Sequence, residues 1–419
     1  MTDANAERRC PVGDLTVEYN PFAEPQLSEP FPVWERARQQ CPVFYSEQLG
    51  AWVVTRYDDI VEVLGDYQRF SSVGASRGFS ELTPEAQAVL ATVPSPSQTD
   101  VVPTDPPRHT KMRRFIQLSF LPKRIADLEH RIRTIPDELI DTFEPQGHCD
   151  FYRDFAYLYT LSVVISLVGM PAGDLPRIKH WVECSLSLKW GRLDPAAQLA
   201  AAEGRKEYFE YLAEFVSARR DDDDDSFVAA LVAHSEQSDD PLTETELVGQ
   251  ISTLMSAGHE TTANFLTLSM DAFLTDGAIW QSIVADPSRI PAVIEESLRL
   301  NGPVQSLWRT TTHDSALAGV DIPAGARISA LTASGNRDDA MFERAAAFDL
   351  DRANTRKHIA FGRGIHSCAG SNLARMEVRI ALEILSQRLP SLRRAQRGQL
   401  QFEPSALQRA PKELHLAWN

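Results

Sequence analysis

The stretch Phe361-Gly362-Arg363-Gly364-Ile365-His366-Ser367-Cys368-Ala369-Gly370 presents one cysteine in a loop suited to hold its sulfur still. Gly362, Gly364 and Gly370 permit backbone angles and close approaches that a Cβ forbids. Directly downstream, Ala374, Val378, Ala381, Leu382 and Leu385 recur at helical spacing. Cys368 therefore lies near a helix N-terminus, where unpaired N–H groups and the positive dipole end favour a thiolate. A lone, polarizable thiolate with no partner cysteine suits a soft metal centre such as haem iron. His366 precedes it by two residues and is placed to reach an anionic edge of the same ligand. The plain alternative is a buried cysteine in a turn, with no chemistry.

A second constellation stands at the centre of a long helical stretch. Thr243-Glu244-Thr245-Glu246 has the pattern of a capping box, and no proline interrupts the chain from there to about Leu274. Midway lies Ala257-Gly258-His259-Glu260-Thr261-Thr262. A glycine inside a helix costs about 1 kcal/mol, which close approach of a flat ligand would offset. Thr261 follows Ala257 by four residues, so its hydroxyl can bond that carbonyl and loosen the turn. A loosened turn exposes backbone groups that hold water or dioxygen. A Thr-rich helix with a packing glycine is the simpler account.

Taken together, the motifs carry a resemblance. All six fixed positions of F-G-x-G-x-H-x-C-x-G are present at 361–370, and the stretch resembles the haem-binding loop of the cytochromes P450. The segment 257–261 is similar to that family's A-G-x-[D/E]-T motif, about 110 residues earlier. The resemblance extends from about Asn20 to Trp418. It implies a mainly α fold, a triangular helical prism enclosing haem b, with a smaller β region. It implies a haem-thiolate monooxygenase that inserts one oxygen atom from O2 into an apolar organic substrate. Electrons would come from NAD(P)H through ferredoxin reductase and ferredoxin.

Residue roles follow from the same resemblance. Cys368 would ligate the iron. Glu260 and Thr261 would deliver protons, with Thr261 ordering a water and Glu260 linking it to solvent. His109, Arg113, Arg309 and His366 would bond the haem propionates, while Ala257, Gly258, Phe361, Gly362 and Gly370 would line the cofactor. Glu296 and Arg299, an E-x-x-R on one helix face, would form a buried clamp with Arg352. By default such a pair is a surface contact worth about 0–1 kcal/mol. Leu254, Val304, Ser306, Leu307 and Leu407 are substrate-pocket candidates. Peroxide-dependent oxidation, oxidative C–C or C–N coupling, and a non-catalytic haem sensor are the rival activities.

The remaining chain must position these groups. Residues 1–20 read as an irregular segment and 21–419 as one domain, with β-rich parts near 42–56 and 308–332. Helices are expected at 33–40, 57–64, near 84–91 and at 108–120. The last carries Arg108, His109, Lys111, Arg113 and Arg114, which alone would read as a solvated basic face. Ile322-Pro323-Ala324-Gly325-Ala326 reads as a hairpin turn, and 402–418 as strands. The Pro- and Gly-rich stretch 71–107, with 181–190, would roof the substrate. Asp221 to Asp225 reads as a solvated loop.

Lys+Arg 42 against Asp+Glu 58 gives a net charge of −16, which disfavours nucleic acid and anionic membranes as partners. The polar N-terminus lacks an apolar targeting segment. Five scattered cysteines without C-x-x-C argue against a disulfide framework and a zinc site, and for a reducing cytoplasm. Arg352, Arg356, Lys357, Arg363, Arg375 and Arg379 cluster in sequence around Cys368 and would form a basic face for an acidic ferredoxin.

Overall fold

A computed structural model describes residues 14–76, 78, 81–95, 99–191, 193–219, 226–396 and 398–419. Helix makes up 56% of it, with small sheets. Contacts divide the chain into two compact units, each assembled from separated stretches. The first comprises residues up to Ala75, Pro291–Cys368 and Gly398–Lys412. The second comprises Ser76–Ile290, Ala369–Arg397 and Glu413–Asn419. The aspartates 221–225 lie outside the described residues.

The first unit is built on a five-stranded sheet. Its spatial order is Val43–Ser46, Ala51–Val54, Arg327–Ala330, Leu307–Thr311, Phe70–Ser71. The first two strands form the expected hairpin, with Gly50 at φ +57° in its turn. Val43, Val54, Phe70 and Ile328 of the sheet bury one face against Ile60 of the helix Tyr57–Gly65 and against Phe342 and Ile359. The turn at 322–326 differs from expectation. It joins Val320–Ile322 to Arg327–Ala330, which belong to different sheets, because Val320–Ile322 pairs instead with Ser315–Leu317. The N-terminal segment also differs. Asp14–Glu18 is helical, and Leu15 and Tyr19, one turn apart, are buried. Tyr19 sets its ring edge-on to Phe44, 5.7 Å away. Cys41 is disulfide-bonded, which departs from the expectation of thiols throughout.

In the second unit, the capping box at Thr243 is complete. Thr243 Oγ1 accepts from the Glu246 N–H at 3.2 Å, and Glu246 Oε2 accepts from the Thr243 N–H at 3.0 Å. The helix it starts, Glu244–Gly258, stops at His259 and resumes as Glu260–Asp276. Tyr157–Val168, apolar nearly all round, packs against both halves. With the preceding turn, Phe151–Val168 is long and apolar enough to cross a membrane, yet 67% of it is buried inside this unit. It is a core helix by packing.

Candidate active site

Around Cys368 the loop geometry is explicit. Gly362 and Gly364 have φ of +69° and +74°, the left-handed region where a side chain is strained. At Gly364 a Cβ would also lie 2.4 Å from the Leu64 carbonyl oxygen. Gly370 does not need its glycine in this way. Its φ is −85°, and a Cβ there would meet Phe120 at an ordinary 3.5 Å. The Cys368 N–H donates to the Phe361 carbonyl at 2.9 Å, which pins the turn and leaves the thiol exposed. Ser371–Arg388 begins three residues later, with Gly370 as its N-cap and Val378, Ala381, Leu382 and Leu385 buried.

Among the described residues no group of three or more His, Cys, Asp or Glu side chains could hold a metal ion. Cys368 would thus supply one ligand, and a fitting metal must bring its others, as iron in a porphyrin does. The donor set suits such a group: one accessible thiol, with His366 on the same loop. Arg309 is buried on the strand Leu307–Thr311, where its Nη1 donates to the Trp308 carbonyl at 2.7 Å.

The basic helix Arg108–Ser119 resolves into two faces. Lys111 pairs with Asp240 at 2.8 Å, Arg108 with Glu246 at 3.3 Å, and Arg114 donates to Ser238 at 2.8 Å. Of these three only Arg114 is exposed; Arg108 and Lys111 are half-buried and both approach the buried Glu246, so the solvated-face account holds in part. His109 and Arg113, one turn apart, fall on another face, and His109 is buried.

The helix break is the most developed feature of the second unit. Three side chains bond backbone carbonyls across it. Thr261 Oγ1 donates to the Ala257 carbonyl at 2.8 Å, as its spacing anticipated. Thr262 Oγ1 donates to Gly258 at 3.4 Å, and His259 Nδ1 lies 2.7 Å from the Met255 carbonyl. The packing account of Gly258 gains a partner: a Cβ on it would lie 2.8 Å from Val164 Cγ2.

Sequence reasoning passed over His259 and Tyr157. The His259 ring is fully enclosed, with Nε2 3.2 Å from the Tyr157 hydroxyl. Burial is the main cause that lowers its pKa to about 4. Because Nδ1–H donates to Met255, Nε2 is the acceptor, and Tyr157 donates to it. Burial pushes the pKa of that hydroxyl up. A histidine inside A-G-x-E-T was the available signal, but only the packed neighbours reveal its partners.

In the first unit, Glu296, Arg299 and Arg352 meet. Arg299 Nε and Nη2 donate to the two Glu296 oxygens at 2.9 and 2.7 Å, and Arg352 Nε donates at 3.1 Å. The pocket candidates of this unit also converge. Gln305 N–H donates to the Leu407 carbonyl at 2.8 Å, Val304 bridges to Gln408, and Leu307 begins its strand one residue on from Ser306. The Ser306 hydroxyl is taken by the Ala406 carbonyl at 2.8 Å. Leu254 is buried in the helix Glu244–Gly258 of the other unit.

The proposed basic face contracts. Arg352 belongs to the buried cluster, and Arg379 pairs with Glu129 and Glu383 at 2.7 and 3.0 Å. Arg375 is half-buried, whereas Arg356, Lys357 and Arg363 stay exposed.

Comparison with known proteins agrees with this geometry. The cytochrome P450 family model matches residues 42–275 and 289–416. The chain belongs to the cytochrome P450 family, whose members bind haem and act as monooxygenases using O2, an organic substrate and redox partners. It is 32% identical to a putative cytochrome P450, YjiB, of Bacillus subtilis over 87% of this chain and 88% of that one. It is 33% identical to the cytochrome P450 monooxygenase PikC of Streptomyces venezuelae over 97% and 94%. Among solved structures, cytochrome P450 CREJ in complex with (4-ethylphenyl) dihydrogen phosphate superposes with a TM-score of 0.90, at 31% identity over 96% and 99%. The mainly α fold with small sheets is therefore the P450 fold.

Proposed function

We infer that the protein hydroxylates an apolar small molecule at a haem b held by Cys368, drawing electrons from NAD(P)H through ferredoxin reductase and ferredoxin in the cytoplasm. The haem, when bound, supplies the activation of O2. The chain's own work is to bind, orient and move protons. The observation that carries this reading is the opened turn at Ala257–Thr261, with Glu260 beside it. Thr261 donates its hydroxyl proton to Ala257, so its oxygen lone pairs are turned to accept from a water and hold it in place. Glu260, half-buried, exchanges a proton with solvent and passes it to that water. His259, locked to Met255 and Tyr157, keeps the break from closing.

His109, Arg113, Arg309 and His366 donate to the haem propionates, where charge-assisted bonds are the strong kind. Phe361, Gly362, Gly370, Ala257 and Gly258 flank the cofactor. Leu254, Val304, Ser306, Leu307 and Leu407 contribute to the substrate wall. Glu296, Arg299 and Arg352 act structurally. Arg356, Lys357 and Arg363 receive the acidic ferredoxin.

The test has two stages. The reduced, CO-bound holoprotein should show the strongly red-shifted absorption of thiolate-ligated haem, and its absence in intact protein sinks the reading. With a turned-over substrate, Thr261→Ala should lower product per NAD(P)H by about 100-fold and release hydrogen peroxide instead. Unchanged coupling refutes the relay. Raising salt should slow reduction by the ferredoxin, and a flat response excludes Arg356, Lys357 and Arg363 as its docking face.

A further inference from the structure

A second cluster of charged side chains lies in the second unit and takes no part in the proton relay. Asp100 is in the Pro-rich stretch 71–107, Lys189 is at the end of the helix Leu175–Trp190, and Arg205 is in the helix Pro195–Ala218. Lys189 Nζ lies 3.5 Å from Asp100 Oδ2. The other Asp100 oxygen, Oδ1, already accepts the Val102 N–H at 2.9 Å. Arg205 is only 7% exposed, and its guanidinium sits 4.5 Å over the Phe209 ring.

The cluster is short of acceptors. The charge of Asp100 bears on both cations, and burial works against the charged form of each. Lys189 and Arg205 also oppose one another. Arg205 makes no hydrogen bond to any described acceptor, although a guanidinium carries five donors. Burial this deep normally brings a carboxylate, a phosphate or backbone carbonyls to such a group. The cluster is also held in place. A Cβ on Gly249 would lie 2.0 Å from the Thr99 carbonyl, so the residue before Asp100 rests directly on the helix Glu244–Gly258. A Cβ on Gly204 would lie 2.7 Å from Cys184 Sγ, so the helices bearing Lys189 and Arg205 are in close contact beside the cluster.

We propose that Lys189 and Arg205 bind the anionic head, a carboxylate or phosphate monoester, of a substrate whose apolar body is oxidised. This rests on the monooxygenase reading and narrows its substrate class. The head would complete the donors of Arg205 and share Lys189 with Asp100. General electrostatic attraction does not explain such a preference, because a chain of net charge −16 repels anions.

The test titrates purified holoprotein with matched series: 4-alkylbenzoates, 4-alkylphenyl phosphates, and neutral 4-alkylphenols with the same alkyl groups. Binding is read by the haem spin-state shift and, independently, by the rise in melting temperature. At least one anionic series should bind about tenfold or more tightly than its neutral partner. The tighter of the two identifies carboxylate or phosphate, and inorganic phosphate alone tests whether the head suffices. Arg205→Gln and Lys189→Met should bring anions down to the affinity of the neutral partner. Arg205→Lys should keep part of the preference, which separates lost charge from lost fold. Asp100→Asn should tighten anion binding, whereas a simple loop latch would loosen the binding of every ligand. Equal affinity for anionic and neutral partners, or a preference that survives Arg205→Gln, overturns the proposal. Loss of the CO-bound red-shifted band overturns the monooxygenase reading instead, and the melting readout still decides the anion question.

Discussion

Two buried clusters in this protein each set two cations against one carboxylate, yet they are finished differently. In the Glu296 cluster, Arg299 also donates to the carbonyls of Asn336, Ala345 and Ala347 at 2.9, 2.6 and 2.8 Å. The Asp349 N–H closes on Glu296 Oε1 at 3.0 Å, and Arg352 reaches further carbonyls. Every guanidinium nitrogen there has a partner inside the fold. In the Asp100 cluster, Arg205 has an aromatic face and no hydrogen-bond acceptor. The charge count is the same, so charge count does not separate a structural site from a binding site. Acceptor supply does: the guanidinium nitrogens of one cluster are bonded inside the fold, and those of Arg205 are left to an outside acceptor.

The largest expected effect tests the completed cluster. Arg299→Ala should destabilise the protein by about 3–5 kcal/mol, since it takes from the buried Glu296 its two-pronged cation and leaves three carbonyls without that donor. Chemical denaturation of the holoprotein measures this, and a loss below about 1 kcal/mol would erase the contrast. Next comes the uncompleted cluster. Arg205→Met should leave stability unchanged or raise it by about 1 kcal/mol, because Lys189 and Asp100 still pair once the desolvated guanidinium is gone. A loss as large as that of Arg299→Ala would mean Arg205 is structural too.

Smaller effects come from two more buried titratable groups of the second unit. His259 has both ring nitrogens engaged and is held neutral down to about pH 4, whereas an unfolded histidine protonates near 6.5. The unfolded state therefore binds more protons between those values, and stability should fall as pH drops from 6.5 toward 4. His259→Gln should flatten that limb in melting curves taken across this range. Glu377, on Ser371–Arg388, is 1% exposed, and its Oε2 has no partner. Burial raises its pKa well above the ordinary 4.5. Above pH 4.5 the unfolded chain gives up a proton that the folded chain keeps, so stability falls as pH rises. Glu377→Gln should thus raise the melting temperature more at pH 7 than at pH 4.5. Equal gains at both would show that Glu377 ionises normally.

Much of this was legible because some residues act through local geometry. Gly362 and Gly364 signalled positive φ, and Thr261 at four residues from Ala257 signalled its hydrogen bond. Glu246, three residues after Thr243, signalled the cap. Other readings failed, or stayed open, where the partner is remote in sequence. Gly258 had a packing account without a partner, and that partner is Val164, ninety-four residues earlier. The turn at 322–326 separates two sheets, because strand pairing is chosen by the partner strands and not by the turn. Arg352 and Arg379 looked like members of an exposed basic face until Glu296, Glu129 and Glu383 were found beside them.

The sequence by itself determined the cysteine loop, the acid–alcohol pair on its helix, and the periodicities that form the elements, since each depends on residues within a turn or two of one another. Only the tertiary structure decided which buried charges are completed and which await a partner. That outcome depends on backbone carbonyls and carboxylates brought in from distant stretches of chain. A guanidinium reads the same in sequence whether or not it finds them.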